Sequence, residues 1–129
     1  MDLLQKLLKA DMNVKKEVFI KRLDSNITVS SFTNDDYEHI QERCTFYEGK
    51  GNKRTKQVDT QKARHMLIAK CLVEPNLNSK EALESTGSME AYEVVKKVFL
   101  PGEQELIENA IGEISGFVDG EVDADDVKN

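Results

Sequence analysis

At 129 residues, with 39% hydrophobic and 33% charged side chains, the chain has the length of one domain and enough periodic apolar sequence for one core, which excludes disorder throughout. A formal net charge of -6 argues against nucleic acid as the main partner, because that affinity comes largely from neutralising phosphates. No apolar run approaches the roughly 18 residues of a membrane span, and "MDLLQKLLKAD" lacks the basic start and continuous apolar centre of a signal peptide, so a cytoplasmic protein with no membrane partner is expected.

In chain order, Leu3, Leu4, Leu7 and Leu8 mark one face of a short helix over residues 2–9. Docking of that face on the protein's own core is the expected arrangement, and a partner's groove is the alternative. Next, "KEVFIKRL" (16–23) and "ITVSSF" (27–32) are rich in β-branched and aromatic residues and are separated by Asp24, Ser25 and Asn26. These three favour tight turns through local side-chain hydrogen bonds, so the segment reads as a β-hairpin that needs helices against one face.

Five helical patterns follow. Thr33 can cap a helix with Asp36 at its third position, which places Tyr37, Ile40 and Cys44 on one face. Asp59 can cap the next, where Ala63, Met66, Leu67 and Cys71 form a stripe widened by Ile68 and Leu72 until Pro75 ends it. Asn78 and Glu81 make a reciprocal cap for a short helix ending at Gly87, and Ser88 opens "MEAYEVVKKVFL", which Pro101 and Gly102 stop. The last pattern, "EQELIENAIGEISG", is the clearest: Leu106, Ile107, Ala110, Ile111 and Ile114 recur on one side, and Gly116 terminates it. The expected fold is therefore α+β and mainly α: an N-terminal helix and a β-hairpin packed against a small bundle of about five helices. Residues 1–116 form the single domain and 117–129 a flexible acidic tail.

Two charge blocks stand out. "GKGNKRTK" (49–56) is basic and "DGEVDADD" (119–126) holds five acids and no base. Such runs are mostly solvated segments. The basic one lacks the glycine and Lys-Ser/Thr spacing of a P-loop and reads as a mobile loop, with contact to an acidic partner as the less favoured reading.

The two His and two Cys invite a test for a metal or nucleophile site. On a helix, five residues advance about 500° and six about 600°, so His39 diverges from Cys44 and His65 from Cys71. Neither pair has the tight spacing of a zinc site. No nucleophile motif surrounds either thiol, and packed cysteines with surface histidines are expected. The acidic pairs Asp35–Asp36, Glu103–Glu105 and Asp125–Asp126 fall at helix starts or in the tail, where they suit the helix dipole or solubility. The residues thus give no catalytic, cofactor or metal assignment. An enzyme using Cys44 or Cys71 is the most distant reading, and a small acidic regulatory or toxin-neutralising binding protein is a nearer one.

The order of elements, together with "EPNL" before the short helix, "LPGEQELIENAIGEISG" and the terminal "VKN", resembles the XkdN-like tail assembly chaperones of long-tailed bacteriophages and prophages over roughly residues 7–129. The resemblance implies a protein acting in the host bacterial cytoplasm during tail morphogenesis and absent from the mature virion. Its partners would be the tape measure protein, which it keeps soluble, and the tail tube protein, which it helps recruit; self-association is also open to it. The apolar face expected to meet the tape measure is either that of Leu106, Ile107 and Ile111 or that of the N-terminal leucines, Leu3, Leu4 and Leu7 among them. Many such proteins are made in two lengths by ribosomal frameshifting, and the codons of Lys128 and Asn129 could hold the slip point.

Overall fold

The structure is a computed structural model that describes residues 2–117. The acidic block at 119–126 and the proposed slip point at Lys128 and Asn129 lie outside the described residues.

Helix α1 (Leu3–Lys9) is opened by a capping box, in which Asp2 accepts from the Gln5 N–H and Gln5 reaches back to the Asp2 N–H. Strands β1 (Lys15–Ile20) and β2 (Ser25–Ser30) pair antiparallel, with Val18 opposite Ile27 and Ile20 opposite Ser25. The connection is not the Asp-Ser-Asn turn expected from sequence. A short 3-10 turn over Lys21–Leu23 leads into Asp24 at φ 49, and Ser25 already pairs. Asp tolerates that left-handed conformation better than most side chains.

Val18, Ile20, Ile27 and Val29 alternate onto one face of this hairpin, and all are buried. The hairpin gains a third strand: β5 (Leu72–Glu74) pairs antiparallel with β2, giving the order β1-β2-β5. Leu72, expected in a helical stripe, is thus the first residue of a strand.

Helix α2 (Asn34–Cys44) has the expected Thr33–Asp36 capping box. It runs into β3 (Thr45–Glu48), which turns at a 3-10 segment over Gly51–Lys53 and returns as β4 (Thr55–Val58), a second antiparallel hairpin. The basic stretch expected to be a mobile loop is the tip of this hairpin. Gly49 makes it possible: its φ is +96, and a Cβ there would lie 2.5 Å from the Lys53 carbonyl oxygen.

Asp59 caps α3 (Thr60–Cys71), the central helix, whose His65, Met66, Leu67, Ile68 and Cys71 are all buried. Ser79, one residue beyond the expected Asn78, caps α4 (Lys80–Thr86), and Gly87 closes it at φ 65. Helix α5 (Ala91–Val98) starts three residues after Ser88, whose hydroxyl instead bonds that of Thr86. Pro101 both ends the preceding segment and opens α6 (Pro101–Ile114) at its first turn, where its missing N–H costs nothing.

Helix α3 packs against α2, α5 and α6, while α6 also lies across β1 and β2. The core therefore sits between one sheet face and a layer of four helices.

Candidate partner-binding surface

The leucine face of α1 does not dock on the core. Leu3, Leu4, Leu7 and Leu8 are 82%, 61%, 71% and 73% exposed, and no residue of the helix is buried. This overturns the expected docking. The segment that follows the helix is tied to the body: Ser31 accepts from the Val14 N–H, donates its hydroxyl to the Met12 carbonyl, and its own N–H reaches the Val14 carbonyl. Met12 and Val14, also exposed, extend the apolar surface toward the sheet.

The second expected face divides. Leu106 is exposed and shares a shallow groove with Phe19 of β1, floored by Val18 and Ala110. Ile107 and Ile111 are fully buried core residues, a correction to their expected role in partner contact. The reason is angular. Positions 107 and 111 share the side of α6 that faces the sheet and α3, whereas 106 lies about 100° away at the edge of that stripe. Burial of each isoleucine stabilises the fold by roughly 1.5–3 kcal/mol, so neither is available to a partner without opening the domain.

Neither cysteine is poised as a nucleophile. Cys71 is buried, and desolvation pushes its thiol up to about 12. Cys44 is buried against the Met66 sulfur at 3.6 Å, and burial raises its thiol as well. Both thiols are therefore held in the weakly nucleophilic protonated form.

His39 is exposed, as expected, but His65 is not. Its Nε2 lies 3.0 Å from Gln104 Oε1, and Gln104 donates through Nε2 to the Phe99 carbonyl. With the amide oriented this way, His65 Nε2 carries the proton. Burial lowers the histidine's pKa and keeps the ring neutral. This buried chain links α3 to the start of α6. Its only sequence signal is a histidine inside an otherwise apolar stretch. Among the described residues, no group of three or more His, Cys, Asp and Glu side chains is placed to hold a metal, and no helix is long and apolar enough to cross a membrane.

A family model described as phage XkdN-like tail assembly chaperone protein matches residues 4–128. The chain belongs to that family. The fold of this tail assembly chaperone is similar to that in the crystal structure of the protein YqbN, with a TM-score of 0.64 over 84% of this chain and 90% of that one, at 20% identity. No curated protein matches the chain. Membership gives the chaperone a general role in tail assembly with tail proteins as partners, while the exposed leucines of α1 give it the largest uncovered apolar helix face among the described residues.

Proposed function

We propose that this tail assembly chaperone binds the tape measure protein in the host cytoplasm, keeps it soluble and helps recruit tail tube subunits around it. The observation that carries this reading is the leucine face of α1, a capped helix none of whose residues is buried. A tape measure is a long apolar helical chain that would aggregate before a tube surrounds it, and an exposed row of leucines offers its helices an apolar counterpart. Leu106 with Phe19 supplies a second, smaller contact; Ile107 and Ile111 serve it only by supporting α6 from within.

The polar remainder of the surface suits a holding protein that must later yield. Each buried leucine adds roughly 1.5–3 kcal/mol, so a few leucines give an affinity that tube subunits can overcome by competition. The test is co-expression of the chain with the tape measure protein of the same phage or prophage. Soluble complex on size exclusion supports the reading, and a tape measure that stays insoluble and unbound contradicts it.

A further inference from the structure

The β3–β4 hairpin is not absorbed by that reading. Every residue from Phe46 to Val58 is exposed. Between Thr45 and Val58 stand Lys50, Lys53, Arg54 and Lys56 against the single acid Glu48, in a chain whose net charge is -6. Elsewhere Arg22, Arg43 and Arg64 face Glu103, Glu90 and Glu108, and Lys16, Lys70 and Lys80 also face carboxylates, while the other described lysines lie scattered singly or in pairs along the chain. Among the described residues, none of the four hairpin cations makes a salt bridge; Arg54 instead lies 4.7 Å over the Tyr47 ring. The tight turn at Gly49 and Gly51 holds Lys50, Lys53 and Arg54 together at one end.

We infer that this hairpin is a docking surface for an acidic peptide, and that its resident occupant is the acidic segment 119–126 of the same chain. Charge complementarity is the first argument. Asp119, Glu121, Asp123, Asp125 and Asp126 form a run of five acids without a base, matched to the densest group of cations in the sequence, Lys50, Lys53, Arg54 and Lys56.

Reach is the second. The described chain ends at Phe117, whose ring stacks 6.1 Å from Phe32, which in turn stacks 6.1 Å from Tyr37. Tyr37 lines one pocket together with Val58, the last residue of the hairpin. From there the strands run about 13 Å to the tip. Asp126 is nine residues beyond Phe117, and nine extended residues span about 30 Å, so the distal acids Asp123, Asp125 and Asp126 have the reach to lie along the strands.

Tethering then raises the local concentration of the acids to the order of millimolar, whereas a free acidic partner must compete for the site. The contact acts over short range, since screening falls within about 8 Å at physiological salt.

Zero-length carbodiimide cross-linking of the full chain, read by mass spectrometry, tests this directly. An equal mixture of isotopically light and heavy protein separates bonds within one chain from bonds between chains. At low salt, cross-links from Lys50, Lys53 and Lys56 to residues 119–126 should outnumber those from the exposed Lys15, Lys21, Lys80, Lys96 and Lys97 by about tenfold, stay within one isotope, and fade near 1 M salt, where screening acts within about 3 Å. Cross-links spread evenly over all lysines, or joining light to heavy chains, would overturn the assignment. As a second measurement on the full chain, D123N/D125N/D126N should shift backbone amide resonances chiefly within residues 46–57; unchanged resonances there also overturn it.

Discussion

Arg22, in the turn between β1 and β2, grips Glu103 in the first turn of α6 with two hydrogen bonds, Nε to Oε2 at 2.8 Å and Nη2 to Oε1 at 2.7 Å. Nη2 also donates to the Val98 carbonyl, and Glu103 Oε1 accepts from the Leu100 N–H. One ion pair thus ties the hairpin, the end of α5 and the start of α6 together. Paired forks of this kind are stronger and more directional than ordinary surface pairs.

The Arg22 hydrogen bonds, aided by the Leu100 N–H, hold the Glu103 carboxyl well below the ordinary value of 4.5, at about 2. A carboxylate whose folded pKa is depressed adds stability above its unfolded pKa and loses it as pH falls through the folded one. Stability should therefore drop as pH falls from about 4.5 to about 2. Urea titrations across that range should show a flatter pH profile for Glu103→Gln, with lower stability at neutral pH.

Gln104→Leu removes both hydrogen bonds of the buried chain, leaving the His65 Nε2–H and the Phe99 carbonyl without this partner. The expected loss is about 2 kcal/mol, the cost of buried polar groups left unpaired, read from the denaturation midpoint. The histidine adds a pH signature. Its folded pKa is lowered from 6.5 by burial, so the fold resists the proton, and stability should fall as pH drops below about 6.5 and level off once the folded histidine itself titrates.

Ile107→Ala and Ile111→Ala should each cost about 2–5 kcal/mol, because each leaves a cavity in a fully packed site. Leu106→Gln, at the exposed edge of the same helix, should change stability by no more than about 0.5 kcal/mol. Chemical denaturation of the three variants separates the supporting residues of α6 from the one that meets solvent.

Cys44 and Cys71 should stay inert to a thiol reagent in native protein at neutral pH and react promptly in denaturant, since both are buried with raised thiol pKa values. A colorimetric thiol titration with and without denaturant checks it. Rapid native reaction of either thiol would mean that its packing opens readily.

The features legible in the sequence are local ones. Thr33 with Asp36, Asp59, and the recurrence from Leu106 to Ile114 each write a helix into a few adjacent residues, and the structure places α2, α3 and α6 there. The features missed depend on distant partners. Leu72 continues the helical stripe of α3 in sequence, but β2 captures it as a strand from more than forty residues upstream. His65 is buried by Gln104, 39 residues away, and a local pattern carries no trace of that bond.

The β3–β4 hairpin was hidden because it buries neither face and so shows no alternation. Glycines at 49 and 51 between "TFY" and "TKQV" were its one available signal. Likewise, the leucines of α1 are plain in the sequence, but whether a helix face is covered is decided by the rest of the chain. The same limit let Ile107 and Ile111 pass for surface residues.

The most direct test of the chaperone reading replaces Leu3, Leu4, Leu7 and Leu8 with Gln and co-expresses the variant with the tape measure protein. Because none of these leucines is buried, the variant should keep the denaturation midpoint of the native sequence. The account predicts that the native sequence yields a soluble complex on size exclusion and that the variant leaves the tape measure in the pellet. A variant that solubilises the tape measure as well as the native sequence does would contradict the assignment of α1 as the holding surface.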